Sequence, residues 1–248
     1  AETVDETALT VAVTAEQIAA RNAKNVAEAL AAVPGLRVST GRKNEPTVYV
    51  HGFDQTRVQV LIDGVPYYES NYGKLDLAQI PTDNVARIEV TKGTASVLSG
   101  ANALGGTINI ISKTAGTKPY SELLVEGGDL ATGRFSATHG EKNGPWSWWL
   151  NLSGQTSGGT PVSGSYEPTL GTISQKNPTK TTKAILEDGG VRENSDAKQL
   201  NGWGKLGWEP SADTSVFLNV HYFDRDKGAP PATDNVQVFL KRPAFSQF

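Results

Sequence analysis

The residues of this 248-residue chain that could do chemistry are few and widely spaced. Its three histidines, His51, His139 and His221, lie far apart, and no grouping of His, Asp and Glu has the spacing of a metal site. Cysteine is absent, which removes disulfides, thiolate metal sites and a catalytic thiol. No Gly-x-Ser-x-Gly elbow occurs and no pair of carboxylates has a supporting context, so a hydrolase is set aside. The expectation is a protein that is not an enzyme and holds no metal or cofactor of its own. Recognition chemistry, in contrast, is concentrated. Tyr67, Tyr68 and Tyr72 fall within six residues, beside Glu69 and Asn71, and such a group could stack on and hydrogen-bond a planar or catechol-like ligand. Tyrosines on a rigid hairpin pack equally well against a neighbouring wall, and both readings stand.

Composition limits what can hold these residues. Apolar residues make up 38% and charged residues 20%, with 26 Gly and 13 Pro, a profile of many turns and no helical bundle. A net charge of −3 gives no basic surface for nucleic acid. No apolar run reaches the length of about 18 residues that a membrane helix needs, but membrane β-strands alternate and escape a hydropathy average. The chain opens Ala1-Glu2-Thr3 and contains no Met, as expected of an exported chain after removal of its leader, or of a trimmed one.

The first part reads as α+β. Thr14 and Gln17 form a capping box that predicts a helix from Ala15. A second helix is expected from Asn25, with Glu28 in its first turn, through Val26, Leu30 and Val33 to the stop at Pro34-Gly35. Residues 47–50, 57–62 and 85–91 read as strands, and Asp63-Gly64 between Ile62 and Val65 is a strong hairpin signal. From about Pro119 the pattern becomes long period-2 alternation, giving five strands at 121–126, 132–139, 146–153, 199–208 and 214–223. In the third, Trp146, Trp148, Leu150 and Leu152 share one face, while Ser147, Trp149, Asn151 and Ser153 share the other. Connections at 141–145 and 209–213 are tight, whereas 153–197 and the segment from 225 onward are long and polar. Short turns at one end and long loops at the other suit an outer-membrane barrel. The short connection at 127–130 falls on the long-loop side, and a soluble β-sandwich is the competing reading.

Several linked motifs then point to a family. Val48-Tyr49-Val50-His51-Gly52-Phe53, Leu61-Ile62-Asp63-Gly64-Val65-Pro66, Ile80-Pro81, Arg87-Ile88-Glu89-Val90, Gly93-Thr94-Ala95-Ser96, Gly100-Ala101-Asn102-Ala103-Leu104-Gly105-Gly106 and Ile108-Asn109-Ile110-Ile111 occur in order. Together with Val33-Pro34-Gly35 they resemble the plug domain of TonB-dependent outer-membrane receptors over about residues 11–115. The resemblance implies an α+β plug domain followed by antiparallel transmembrane β-strands, a partial β-barrel that is a fragment of a 22-stranded plugged barrel. It divides the chain into a flexible N-terminal segment (1–10), the plug (11–115) and the first strands of the barrel with long external loops (116–248).

What the resemblance implies for function is TonB-dependent active uptake of a scarce nutrient across the outer membrane of a Gram-negative cell, with the N-terminus periplasmic. A ferric siderophore is the first expectation, otherwise haem, cobalamin or another small ligand. Any iron would arrive chelated within the ligand. Ligand contacts are expected from Phe53, Asp54, Gln55, Tyr67, Tyr68, Asn71, Tyr72 and Asn102. Ion pairs from plug to barrel are expected from Arg87 and Glu89, and from His51, which stands where the family usually has Arg; Lys92 likewise stands where Arg commonly precedes Gly93. Strand addition to TonB is expected through Glu6, Thr7, Leu9 and Val11, a stretch that can also be simply the first strand of the plug. The implied partners are TonB with its inner-membrane energising complex, a small-molecule ligand, outer-membrane lipid and further barrel strands. Five strands cannot close around a plug of about 110 residues without leaving open edges in lipid. The remaining strands are therefore expected from a longer chain or a companion chain. The alternative function is a non-transporting soluble or surface-exposed binding module that uses a plug-like domain.

Overall fold

Local hydrogen-bond chemistry sets the first helices. Thr14 accepts from the Gln17 backbone N–H while the Gln17 side chain accepts from the Thr14 N–H (3.4 and 3.1 Å), and α1 follows as Ala15–Ala20. Asn25 caps α2 (Val26–Leu30) by accepting from the Glu28 N–H at 3.0 Å. α2 stops short of Val33: the chain turns at Ala31 and passes through Gly35 at φ +81°, leaving Val33 buried in the turn instead of on the helix. The computed structural model describes residues 9–40, 45–67, 69, 73–93, 103–165, 169–174, 181–187, 190–192, 194–228, 230 and 244–247.

Around these helices lie β1 (Leu9–Thr14), β2 (Leu36–Thr40), β3 (Pro46–Val50), β4 (Val58–Ile62), β5 (Val65–Pro66), β6 (Val85–Lys92) and β7 (Gly106–Ser112). Five form one sheet in the order β1-β6-β7-β4-β5, with β4 and β7 parallel, and β2 pairs with β3 as a separate ribbon. Asp63 and Gly64 join β4 to β5 with φ of +51° and +81°, the doubly left-handed turn that an Asp-Gly pair favours. The core between sheet and helices holds Leu30, Leu77, Ile80, Ile88, Ile108 and Ile110, each contributing about 1.5–3 kcal/mol on burial.

A second sheet follows, built from β8 (Tyr120–Gly128), β9 (Thr132–Asn143), β10 (Trp146–Ser157), β13 (Ala197–Ser211), β14 (Thr214–Gly228) and β15 (Ala244–Gln247) in the spatial order β15-β14-β13-β10-β9-β8. Between β10 and β13 the long connection carries its own hairpin, β11 (Thr169–Ser174) with β12 (Thr181–Glu187). The described sheet thus has a sixth member, β15, beyond the five strands expected. β9, β13 and β14 also run several residues past their alternating stretches. Ladder pairing continues there although the side chains turn charged, as at Lys142, Asp224 and Asp226, so the hydropathy pattern ends before the strand does.

This sheet is amphipathic in the inverse sense of a soluble one. Leu123 and Val125 are 77% and 76% exposed, and Leu150, Leu152, Val216, Leu218 and Val220 are exposed with them. Asn151 and Asn201 are 3% and 0% exposed, with Ser136, Thr138, Ser153 and Gln199 buried beside them against the first domain. A β-sandwich buries its apolar face on a second sheet; here the apolar face lies outward, the arrangement of a lipid-facing wall. No helix among the described residues is long and apolar enough to cross a membrane.

Candidate functional site

The contacts between the two parts are carboxylates on the first domain meeting cations on the wall. Asp63, in the β4–β5 turn, receives Lys205 of β13 at 2.9 Å while its carboxylate also accepts from the Ser112 backbone N–H at 2.8 Å and from the Ser112 hydroxyl. Burial works against its charge, but the Ser112 bonds and the Lys205 ammonium outweigh it and hold the carboxyl below the usual range. Asp76 caps the 3-10 turn Leu77–Gln79 through one oxygen, accepting from the Ala78 N–H at 3.0 Å. Its other oxygen takes Arg225 at 2.9 Å and Lys227 at 2.7 Å, both from β14; Asp76 and Lys227 are buried and Arg225 is partly so. Asp83 receives Arg134 of β9 at 2.8 Å, and the same guanidinium reaches Glu126 of β8 at 3.4 Å. Two contacts have the opposite polarity: Lys24, in the turn between α1 and α2, pairs with Glu126, and Lys113, just after β7, lies 3.9 Å from Glu122 of β8.

A tryptophan completes the interface. Trp149, which sits among polar residues on its face of β10, donates Nε1–H to Asn84 Oδ1 at 2.7 Å. Its ring lies over Gly140, where an added Cβ would come within 2.2 Å of it, and stacks on Tyr120 with centroids 5.5 Å apart. Glycine at 140 is what lets the indole lie flat on the wall and reach across.

The residues expected from sequence are distributed differently. Arg87 and Glu89 lie two apart on β6 and pair with one another at 2.7 Å, half exposed, and neither has an ion pair with the wall among the described residues. His51 is the first residue of a tight turn at φ +47°, followed by Gly52 at +85°, with Val50 and Phe53 exchanging both backbone hydrogen bonds. Its position answers to turn geometry, and it too has no ion pair with the wall among the described residues. Lys92 is buried and donates to the Pro34 carbonyl. In the described contacts the plug supplies mainly acid and the wall mainly base.

Of the expected ligand contacts, Phe53 is exposed, with Gly105 close enough that a Cβ there would lie 2.6 Å from the Phe53 Cβ. Asp54 caps the turn Gln55–Arg57 and pairs with Lys74 at 2.8 Å. Partial burial opposes its charge, yet Lys74 and the Thr56 bonds keep its carboxyl below the usual range, and the same pair raises Lys74. Gln55 is turned inward: its carboxamide donates to the Leu75 carbonyl at 2.6 Å and accepts from the Val48 N–H at 3.3 Å, so it braces the domain and offers no group to a ligand. Tyr67 packs against the core, and burial raises its phenol. Tyr68, Asn71, Tyr72 and Asn102 lie outside the described residues. Among the TonB candidates, Glu6 and Thr7 lie outside them as well, while Leu9 and Val11 belong to β1, ladder-paired with Lys92 and Val90.

Asp63, Asp76, Asp83 and their wall partners went unread because each is an ordinary solvated acid or base in one dimension. A signal was present for Trp149 alone, as an aromatic residue on a polar strand face. A polar-surfaced domain seated by ion pairs on the polar face of an antiparallel wall, whose other face is apolar, defines a plugged membrane-barrel protein.

Comparison with known proteins agrees. Residues 3–107 match the family model described as the TonB-dependent receptor plug domain. A stretch of 117 residues, 47% of this chain, is 37% identical to the vitamin B12 transporter BtuB of Photobacterium profundum and covers 19% of that relative. A stretch of 129 residues, 46% of the chain, is 33% identical to a ferric enterobactin receptor of Pseudomonas aeruginosa and covers 17% of it. In fold, 91% of the chain superposes on 26% of P. aeruginosa FpvA bound to a heterologous pyoverdine, with a TM-score of 0.68 at 18% identity. Residues 3–107 thus match a TonB-dependent receptor plug domain, and the chain with its wall strands is similar in fold to solved receptors of that kind. It spans about a fifth of the length of the curated relatives it matches.

Proposed function

We propose that the chain is the plug and leading wall of a receptor that imports a scarce solute across an outer membrane, driven by TonB. The single observation that carries the reading is the polar, ion-paired seating of a separate domain on the buried face of an outward-apolar sheet. A seat made of a few charge pairs and one indole hydrogen bond can be loosened by mechanical work from another membrane, whereas a continuous apolar interface would resist it. Ferric siderophore is the first ligand to test and cobalamin the second, these being the ligands in the names of similar proteins. Exposed Phe53 would meet the ligand from outside.

The test is growth of a cell lacking its own uptake receptors and supplied with the full-length receptor gene, on limiting iron chelate or limiting cobalamin, with and without TonB. Rescue with one ligand that disappears without TonB is the expected result. No rescue by either ligand, with the receptor folded in the outer membrane, would contradict import of these ligands. Purification of the full-length protein as a monodisperse species without detergent would favour the soluble binding module.

A further inference from the structure

A cavity of about 580 Å³ lies between the α1–α2 corner and β8, β9, β10 and β13, within the size range of small-molecule sites. It is separate from Phe53, Asp54 and Tyr67. Most of its charged lining groups are already engaged: Lys24 pairs with Glu126, Arg134 with Asp83 and Glu126, and the Glu28 carboxylate accepts from the Lys24 N–H and the Asn25 amide. Beside the Lys198 ammonium, what remains is neutral hydrogen-bonding capacity. Gln199 is 7% exposed, lines the cavity, and has neither its carboxamide N nor its O hydrogen-bonded among the described residues; Arg134 Nε is buried without a partner there as well. Gln155 lines the same space, paired in the ladder with both Gln199 and Arg134.

Leaving a buried carboxamide wholly unpaired costs about 1–3 kcal/mol or more per group, so the geometry calls for a partner that supplies donor and acceptor together. We propose that this cavity is a binding site for a small, neutral, hydroxyl-rich solute up to the size of a disaccharide. Vicinal hydroxyls match an amide's adjacent donor and acceptor, and they can also accept from the Lys198 ammonium on the rim.

The experiment is titration of the full-length receptor in detergent with trehalose, followed by calorimetry and by tryptophan fluorescence. Saturable binding by the wild type is expected, weakened about tenfold or more by Gln199→Leu, which keeps the side-chain volume, with heat-modifiable migration unchanged. Gln155→Leu is the second variant should Gln199→Leu fail to assemble, with the same expected loss. Absence of saturable trehalose binding by the folded wild type, or affinity in the folded variant within a few-fold of wild type, would overturn the site. Neither result touches import of the main ligand, which is read separately by growth.

Discussion

At the residue scale, Asp63 joins the largest number of functions in one side chain. It begins a left-handed turn, anchors the end of β7 through Ser112 and receives Lys205 from the wall. Asp63→Asn keeps the shape and an acceptor but removes the charge that offsets Lys205, and is expected to destabilise the detergent-solubilised receptor by about 1–3 kcal/mol. Because its folded carboxyl titrates below the usual range, its contribution is fully present above the ordinary carboxylate pKa of about 4 and is lost as pH falls through the folded value. The gap between wild type and Asp63→Asn in thermal unfolding should therefore stay constant from neutral pH down to about 4 and close below it. A gap that widened with acid would contradict this assignment. Sequence alone marked Asp63 only as a turn residue, since nothing in one dimension indicates which of many lysines will lie opposite it.

The elements were the more legible level. The capping box at Thr14, the Asn25 cap and the Asp63-Gly64 turn are local chemistry, and each appears where the sequence indicated. β2 and the β11–β12 hairpin were not signalled: Leu36–Thr40 follows directly on the Pro34-Gly35 stop, and Thr169–Ser174 with Thr181–Glu187 lies within the long connection that reads as a loop. Close backbone approach gives a sharp prediction at β7. Gly106 has φ +125°, and a Cβ there would sit 2.1 Å from the Thr91 carbonyl oxygen of β6. Gly106→Ala should cost about 2–4 kcal/mol in thermal unfolding, while Gly116→Ala, with open space around it, should stay within about 0.5 kcal/mol. Equal effects at the two sites would mean the β6–β7 register is wrong. On the wall, Leu150 is exposed and outward while its neighbour Trp149 is 4% exposed and inward. Leu150→Lys on the lipid-facing side is expected to lower the yield of heat-modifiable receptor, by about 2–4 kcal/mol near mid-membrane. Leu150→Val should be close to neutral. Unchanged assembly of the lysine variant would place that face in water.

For the whole molecule, the inverse amphipathicity of the second sheet and the acid-on-base seating of the first domain belong together. A lipid-facing wall must turn its polar side inward, and a polar inner side needs a polar-surfaced occupant to satisfy it. The alternation that reveals the wall was readable in sequence, as was the plug through its motifs. The pairing between them was not, because Arg87 and Glu89 satisfy each other on β6 while Asp83 and Arg134, 51 residues apart, meet only in three dimensions. These 248 residues contain no cysteine, so thiols placed at the two positions make that meeting directly measurable. The decisive measurement is thiol cross-linking, with a short bifunctional reagent, of the full-length receptor in native outer membranes carrying Asp83→Cys with Arg134→Cys, beside a control carrying Asp83→Cys with Leu150→Cys on the opposite face of the wall. The account predicts an efficient intramolecular link in the first pair and none in the second; no link in the first, or equal links in both, would contradict the seating of the plug against this wall.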